Sequence, residues 1–512
     1  MAKKQRPAET TRRRNRGTGK YSERSRTNRL GTFCLILQAL ISIVFMIVII
    51  LLDMLPMNYL ALVAMILVFL WCIAFTTQAV RKRSGGAGKV YSLVMICVLM
   101  IGTYNIAEAN NMLSMITGGN IRVDKMAVAV LAEDPAETIE DAVDYNFGIQ
   151  FQQGGDNIQT AVTNLQEELG TTLEVTECDS VQDQARSLMN GGVQAIIYNE
   201  AYTELMEDAV EGFSDNTRII YEMSIKTELD LGVGTEDSLT KEPFTVYISG
   251  IDTYGEVTET SRSDVNIIAV VNPTTHQILL ITTPRDSYVP LYGPDVQQGA
   301  MDKLTHAGVY GIETSMDTLG ELYETDINYY VRLNFTSLID IVDILGGVDV
   351  NSEIAFTTGN ESGDIVEVHE GLNHFNGKQA LAFSRERHNL EDGDNQRGKN
   401  QQAVITGLLK KVISPTMLLR SGALMNQVSK DVEMNVTQAQ LNALIRNQLK
   451  TNAEWKIQSV ALSGEGGQDY CYSAPDQPLY VMYPDETVLQ NIIDLANVVE
   501  EGGTLPDGET LN

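Results

Sequence analysis

Three long runs without a charged residue lie near the N-terminus of this chain, at residues 32–52, 57–79 and 90–107. A helix of about 20 apolar residues spans the hydrocarbon core of a bilayer, and the first two runs reach that length. The third run is only just long enough, and a buried or interfacial helix is its alternative interpretation. The pattern predicts three transmembrane helices within residues 31–107, so the rest of the chain must fold beside a membrane.

The distribution of charge predicts the side of the membrane on which each segment lies. Residues 1–89 carry 15 basic and 3 acidic side chains, whereas the rest of the chain carries 22 basic and 64 acidic ones. Lys and Arg accumulate in cytoplasmic segments next to membrane helices. Two helices separate the basic tail, residues 1–30, from the basic loop at residues 81–89, so both are predicted to be cytoplasmic. The third helix then places the acidic body outside the cell.

The strongly acidic body limits the classes of partner. Its net charge of −42 repels nucleic-acid phosphates, so nucleic acid is not an expected partner. The basic tail is able to bind anionic lipid or nucleic acid, and a disordered segment against membrane lipid is the favoured interpretation. The spacing of the body's two cysteines, Cys178 and Cys471, supports neither a disulfide nor a zinc site.

Residues 122–226 alternate between short apolar strands and segments with helical spacing. Strands are predicted at residues 126–131, 173–175, 195–198 and 218–223, and helices at residues 158–169, 181–189 and 201–210. This order indicates a small α/β domain. Because no Gly-rich phosphate loop follows a strand, the domain is predicted to have an accessory or interaction role. A polar linker at residues 227–242 follows it.

Arginine is concentrated in one part of the acidic body. Six of the body's 11 arginines fall between residues 262 and 397. They are Arg262, Arg285, Arg332, Arg385, Arg387 and Arg397. Guanidinium groups bind phosphate oxygens in pairs, so their concentration favours an anion site. Surface salt bridging with neighbouring carboxylates is the alternative.

A predicted hairpin brings several of these charges together. Residues 265–271 and 277–283 have the pattern of two strands joined by a short turn. The start of one strand in a hairpin lies beside the end of the other, so Arg262 and Asp264 are predicted beside Arg285.

The strand before the hairpin adds a carboxylate to the same edge, because residues 244–249 form a predicted strand that ends close to Asp252. Carboxylates hold Mg²⁺ while it shares phosphate oxygens, and arginines bind the remaining oxygens. The edge therefore predicts a pyrophosphate bridged by a divalent metal.

Segments further along the chain supply more candidates. Lys303 lies in a polar stretch, and a short apolar segment leads into Arg385 and Arg387. If that part of the chain is extended, both arginine side chains point to one face. Residues 392–397 are predicted as a turn-rich loop, and residues 401–412 as an amphipathic helix.

Eight strings, in order along residues 244–413, resemble the catalytic domain of the LytR-CpsA-Psr family. They are SGIDTYG, SRSDVNI, TTPRDSYV, DKLTHAGVYG, NYYVRLNF, LGGVDV, ALAFSRERH and DGDNQRGKNQQ. The apolar runs and the accessory domain resemble the capsule-type branch of the family. The resemblance implies an αβα sandwich at residues 243–415, with a hydrophobic pocket for a polyprenyl chain. The mixed pattern of residues 416–512 predicts an extension that packs on this domain, with disorder after residue 500.

The resemblance also implies roles for individual residues. Asp252 and Asp264 are expected to coordinate Mg²⁺ (or Mn²⁺). Our own hypothesis for the reaction is that Asp264 or Asp394 accepts the proton of the acceptor hydroxyl. The residues expected to bind the pyrophosphate are Arg262, Arg285, Lys303, Arg385, Arg387, Arg397 and Gln401. The residues expected to be catalytic are Arg262, Asp264, Arg285, Arg385, Arg387 and Asp394.

The activity that the resemblance implies is transfer of a glycopolymer, expected to be capsular polysaccharide, from undecaprenyl pyrophosphate to peptidoglycan. It implies an extracellular site on a Gram-positive cell membrane. The expected partners are the lipid-linked glycan, peptidoglycan, membrane lipid and capsule biosynthesis proteins. Two alternatives stay open. One is a polyprenyl-pyrophosphate phosphatase, in which water replaces the wall acceptor. The other is a membrane-bound regulator of capsule or wall gene expression.

Overall fold

The computed structural model of the chain divides into two compact units, Met1–Glu108 and Ala109–Asn512. The structure describes residues 19–80, 86–116, 121–151, 154–229, 231, 234–251, 260–390, 393–414, 417, 432–508 and 510–511. Within these ranges, the side chains of residues 19–28, 79–80, 108–116, 237, 394 and 395 are not described.

The first unit is helical in its described part. Its helices are α1 Gly19–Leu52, α2 Met57–Phe75 and α3 Gly86–Ile116. Each contains or begins a stretch long and apolar enough to cross a membrane: Arg29–Leu52, Met57–Gln78 and Gly86–Ala107. The second stretch continues from α2 into a π-helical segment, Thr76–Val80. The three predicted apolar helices are therefore confirmed. The third stretch has 22 residues, because helix α3 begins before the apolar run that predicted it.

The second unit begins with a five-stranded sheet. Its elements are β1 Ile121–Leu131, β2 Asn146–Ile149, α4 Gly155–Leu169, β3 Glu174–Glu177, α5 Val181–Met189, β4 Ala195–Asn199, α6 Thr203–Ala209, α7 Phe213–Asn216 and β5 Thr217–Glu228. The strand order is β3-β2-β4-β1-β5. Strand β1 is antiparallel to β4 and β5, whereas β2 is parallel to β3 and β4. The sequence did not predict β2, because four residues with only two large apolar side chains give no periodic signal.

The remaining strands and helices form the larger part of this unit. The strands are β6 Phe244–Ile251, β7 Ser263–Asn272, β8 Gln277–Thr283, β9 Tyr288–Leu291, β10 Ala300–Lys303, β11 Tyr329–Leu333, β12 Val348–Ser352, β13 Phe356–Thr357, β14 Glu367–Val368, β15 Gly371–Phe375, β16 Val432–Met434, β17 Lys456–Ala461, β18 Gly464–Cys471 and β19 Ala474–Pro484. The helices are α8 Glu236–Lys241, α9 Leu304–Ala307, α10 Ile312–Tyr323, α11 Phe335–Ile344, α12 Gly377–Arg385, α13 Gly393–Val412, α14 Gln438–Thr451 and α15 Glu486–Glu500.

Six of these strands form the main sheet, in the order β16-β11-β6-β7-β8-β17. Strands β6, β8, β11 and β17 run in one direction, because β7 is antiparallel to both β6 and β8, and β11 and β17 are parallel to their neighbours. Apolar residues of α10 and α15 pack on one face, and those of α13 pack on the other. The predicted αβα sandwich is therefore confirmed.

The C-terminal segment differs from its prediction in two ways. It supplies β16 and β17, the two edge strands of the main sheet, so a boundary at residue 415 would divide one sheet. The stretch after residue 500 is ordered in its described part, because Leu505 and Leu511 are buried and the Leu511 amide donates to the Ser459 carbonyl at 2.7 Å. Two isolated leucines are too weak a sequence signal to predict this packing.

The predicted loop at residues 392–397 is also corrected. Helix α13 begins at Gly393, so its first turn contains the Gly, Asp and Asn residues that suggested a turn. Such residues are favoured at helix starts as well as in turns, because both leave backbone N–H groups that a short polar side chain can satisfy.

A buried ion network connects the two sheets of the second unit. The Arg122 guanidinium, on β1, lies 2.7 Å from carboxylate oxygens of both Asp124 and Asp295 and 3.4 Å from Glu313. Only 7% of the Arg122 side chain is exposed. Burial raises the pKa of Glu313, and the facing charge of Arg122 opposes this rise. The Arg122 guanidinium thus links strand β1 to the start of α10, in addition to the apolar cluster that the two regions share.

Candidate functional site

The candidate site lies where the four codirectional strands of the main sheet end. Ligands of open α/β sheets bind outside the carboxyl ends of such strands. A first cavity, of about 340 Å³, lies at the ends of β6 and β11 and the start of β7. A second cavity, of about 770 Å³, lies at the ends of β8 and β17. Asp264, Arg285, Arg397 and Gln401 line both cavities, so the two cavities adjoin at these side chains.

The first cavity has a wall of aliphatic and aromatic side chains. This wall consists of Ile248, Ile251, Val265, Leu333, Phe335, Leu338, Leu381, Val404 and Ile405. These residues come from the sheet and from three helices, α11, α12 and α13. An apolar wall of this kind accommodates a hydrocarbon chain and gives a phosphate no partner.

The polar side of the same cavity, called its mouth below, carries more basic than acidic side chains, the acidic ones being Asp264 and Glu361. Four of the five arginines predicted to bind the pyrophosphate line it together with Gln401: Arg285, Arg385, Arg387 and Arg397. Arg385 is the last residue of α12, and its guanidinium carbon lies 4.2 Å from the centre of the Phe335 ring. Arg397 and Gln401 are four residues apart on α13, so they share one helix face. An apolar cavity with an arginine mouth suits an amphiphile that ends in phosphate.

The predicted contact between the two hairpin strands is confirmed. Residue Asn266 of β7 pairs with Thr283 of β8, and Arg285 donates to an Asp264 carboxylate oxygen at 2.9 Å. The other Asp264 oxygen accepts a hydrogen bond from Thr305 at 3.4 Å. Asp264 is therefore held beside Arg285 at the junction of the two cavities.

Lys303 lies behind this junction and is connected to it through Asp286. Its ammonium is 2.5 Å from Asp286, and Asp286 is 3.7 Å from the Arg285 guanidinium. Lys303 is not among the described residues that line the two cavities. In this arrangement the lysine supports Arg285 through a shared carboxylate and does not itself face the cavity.

Arg262 is the predicted site residue whose side chain the structure directs elsewhere. Its guanidinium lies 3.0 Å from Glu204 and 3.0 Å from Asp208, which are both on helix α6 of the accessory domain. The predicted hairpin placed the backbone of Arg262 correctly. It could not take account of Glu204 and Asp208, because these carboxylates belong to a different domain. Such an attraction is decided only by tertiary contacts.

Glu386 is a buried carboxylate beside the site that the sequence did not single out. It lies between two arginines of the cavity mouth and is 1% exposed. Its carboxylate accepts hydrogen bonds at 3.0 Å from Ser362 Oγ and from the amides of Arg387 and Asn389, and a further one from the Gly359 amide. Burial acts to raise the pKa of Glu386, but these hydrogen bonds hold it below the ordinary value of 4.5. A carboxylate between two arginines is the sequence signal that could have identified it.

Replacing Glu386 by Gln is expected to destabilise the protein by about 1–3 kcal/mol at neutral pH, since an amide nitrogen would face an N–H donor in a buried position. A depressed pKa contributes stability above the ordinary value, and that stability is lost as the pH falls through the folded pKa. The variant should therefore show a weaker loss of stability below pH 4.5 than the wild type. Thermal unfolding between pH 7 and pH 3 measures both effects.

The matched control for this substitution is Glu353→Gln, whose exposed carboxylate pairs with Lys399 at 3.0 Å. Its expected effect is within about 0.5 kcal/mol. An equal effect of the two substitutions would contradict the role of Glu386 in holding the arginine segment.

The carboxylates predicted as metal ligands or proton acceptors are only partly described. Asp252 lies outside the described residues, and of Asp394 the structure describes the backbone in α13 but not the side chain. Among the described side chains, no group of three or more His, Cys, Asp or Glu residues forms a metal site. Mg²⁺ commonly uses one or two carboxylates together with phosphate oxygens and water. Asp264, a hard oxygen donor at the junction of both cavities, fits that requirement.

Comparison with known proteins identifies related sequences. A model described as the LytR_cpsA_psr family matches residues 203–487, which is more than half of the chain. The chain is 31% identical over 255 residues to a polyisoprenyl-teichoic acid–peptidoglycan teichoic acid transferase, TagU, of Bacillus mycoides, which covers 50% of this chain and 78% of that protein. It is 34% identical over 226 residues to the protein of the same name from Enterococcus faecalis, covering 44% of this chain and 69% of that protein.

Two weaker similarities concern a solved structure and a second family model. The crystal structure of TagU from B. subtilis matches 52% of this chain and 100% of that chain, at 29% identity and a TM-score of 0.39. A second family model, described as a DNA polymerase processivity factor, matches residues 88–198. That range joins most of an apolar helix to part of the accessory sheet, so it corresponds to no single folded unit of this chain.

Proposed function

Because the chain belongs to the LytR-CpsA-Psr family, we propose that it is a phosphotransferase that moves a glycopolymer from a polyprenyl-pyrophosphate carrier onto peptidoglycan. The observation that carries this proposal is the apolar first cavity with four arginines at its mouth. A polyprenyl chain fits the apolar wall, and its pyrophosphate then meets the guanidinium groups. The TagU relatives are named for the same kind of donor and acceptor.

The proposed reaction is displacement at the glycan-side phosphorus. An oxygen of a wall sugar hydroxyl forms a bond to that phosphorus, and the bond from phosphorus to the bridging oxygen breaks. Polyprenyl phosphate leaves with the bridging oxygen and its electron pair, and the hydroxyl proton passes to a carboxylate. Arg285, Arg385, Arg387 and Arg397 stabilise the charge that develops on the phosphoryl oxygens and on the leaving group.

A divalent cation is part of the proposal. Asp264 is the described residue that would hold Mg²⁺, with Asp252 as the second carboxylate of the expected pair. Bound there, the ion would neutralise phosphate charge. Because a metal-bound carboxylate is a poor base, Asp394 is the better candidate proton acceptor. It lies three residues before Arg397 on the same helix, α13.

The proposed location and polymer rest on further features. Three helices of membrane-spanning length and the basic tail and loop support a cytoplasmic N-terminus and an extracellular body on a Gram-positive cell membrane. The accessory domain and the apolar helices support a capsular polysaccharide as the polymer. Capsule biosynthesis proteins would then be partners in the same membrane.

A radiolabelled lipid-linked glycan distinguishes transfer from hydrolysis. The purified full-length chain is expected to place label in the insoluble wall polymer when peptidoglycan and Mg²⁺ are both present. Omitting peptidoglycan or adding EDTA should remove that product. Soluble labelled glycan phosphate formed equally with and without peptidoglycan would instead identify a polyprenyl-pyrophosphate phosphatase, because both reactions use the same phosphate site.

The regulatory alternative makes the opposite prediction for the basic tail. If the chain acted by binding nucleic acid through the tail, deletion of residues 1–29 would abolish function and the arginines of the cavity would be dispensable. We expect the tail-deleted protein to retain transfer in the same assay. A protein whose function in cells survives replacement of the cavity arginines but not deletion of the tail would favour the regulator.

A further inference from the structure

The second cavity lies outside the space that the polyprenyl chain and its pyrophosphate would fill. It adjoins the first cavity at Asp264, Arg285, Arg397 and Gln401 and extends along the sheet edge to the ends of β8 and β17. Its far wall comes from the β18–β19 hairpin and the first turns of α15. If a polyprenyl chain fills the first cavity and its phosphates lie at the arginines, whatever is attached beyond the phosphates lies in this second cavity.

The lining of the far wall is uncharged and mixes polar side chains with apolar ones such as Met482 and Val488. Ser463, Thr487 and Asn491 are exposed there, and they offer two hydroxyls and one amide. Among the described residues that line the cavity, the acidic ones are Asp264 and Asp286, which lie beside Arg285 and not on the far wall. Hydroxyl and amide groups match the many hydroxyls of a sugar.

An exposed aromatic ring completes this wall. Tyr480 of β19 lines the cavity and is 55% exposed. Its ring lies against Gly466 of β18, where an added Cβ would come within 2.9 Å of the phenol oxygen and 3.1 Å of a ring carbon. The glycine therefore leaves room for the ring at this place, and the exposed ring offers an apolar surface to a ligand.

We propose that the second cavity binds a sugar ring next to the transferred phosphate, with Tyr480 as the stacking surface and Thr487 and Asn491 as hydrogen-bonding groups. The proposal rests on the proposed function, because that reaction places sugar on both sides of the phosphorus. The sugar belongs either to the donor glycan or to the peptidoglycan acceptor. Both present the same chemistry, a pyranose ring beside a phosphate-binding site.

Two soluble probes distinguish these sources on the full-length wild-type protein. One is N-acetylglucosamine 1-phosphate, which represents a donor sugar, and the other is a peptidoglycan disaccharide released by a muramidase. Saturation-transfer NMR and titration measure binding of each probe. Tyr480→Ala is expected to weaken binding of one probe about tenfold, whereas Tyr480→Phe should bind like the wild type, since it keeps the ring.

Tyr470 provides the matched control. It lies on the same hairpin and is 57% exposed, but it does not line either cavity, so Tyr470→Ala should bind both probes normally. Equal loss in the Tyr470 and Tyr480 variants, or binding that no variant changes, would overturn the sugar site. The transfer assay is a separate readout. If the wild type transfers glycan and the Tyr480 variants bind sugar and transfer glycan normally, only this inference is refuted. A wild type that binds sugar through Tyr480 without any transfer refutes the proposed function.

Discussion

Replacing Arg285 by Ala is expected to lower glycan transfer by about 1000-fold or more, the effect typical of removing a guanidinium from phosphoryl transfer. Arg285 lines both cavities and is the described arginine that also holds Asp264. Its loss removes a phosphate contact and releases the carboxylate proposed as a metal ligand. The fold should persist, because a partly exposed ion pair contributes about 1 kcal/mol or less to stability.

Transfer kinetics with the labelled lipid-linked donor, together with thermal unfolding, test this expectation. Arg285→Lys keeps the charge but loses the paired N–H groups, so its rate should lie between those of the wild type and the Ala variant. Arg186→Ala is the control, because Arg186 lines neither cavity and pairs with Asp476 at 2.5 Å. Transfer by the Arg285→Ala variant at the wild-type rate would sink the assignment of the site.

Replacing Arg122 by Met is expected to destabilise the protein by about 3–5 kcal/mol, because it leaves buried carboxylates without their cation. The three carboxylates that lose their partner are Asp124, Asp295 and Glu313. In the full-length detergent-solubilised protein, Tm should fall by about 3–6 °C, because the unfolding entropy grows with the size of the folded unit. The control on the same strand is Lys125→Ala, whose ion pair with Glu200 is more exposed, with an expected effect of about 1 kcal/mol or less.

The pH dependence of the Arg122 variant adds an independent check. Burial already raises the pKa of Glu313, and removal of the facing guanidinium should raise it further. A carboxyl whose pKa is higher in the folded state favours folding at low pH, and that contribution is lost as the pH rises through the folded pKa. The destabilisation should therefore shrink between pH 7 and pH 5, and Glu313→Gln should partly restore the variant. If the destabilisation of the Arg122→Met variant does not vary with pH, loss of the ion network is not its cause.

The cavity mouth illustrates how far sequence patterns reach. Hairpin geometry placed Asp264 beside Arg285 because strand pairing follows from local patterns and a short turn. The same reasoning failed for the side chain of Arg262, which pairs with helix α6 of the accessory domain. It also missed Glu386, whose hydrogen bonds come from a segment more than 20 residues earlier as well as from its own neighbours.

The sequence alone determined three features: the apolar helices, the alternation of strands and helices in the accessory domain, and the arginine-rich motifs of the family. Each of them depends on residues that lie close together in the chain. Only the tertiary structure decided which arginines face a common cavity and which are held by other domains. It alone showed that the C-terminal segment completes the main sheet and forms the far wall of a second cavity. The edge strands β16 and β17 lie about 100 and 180 residues along the chain from their partners. They have no local signal, because pairing at that distance is selected by the packing of the whole sheet.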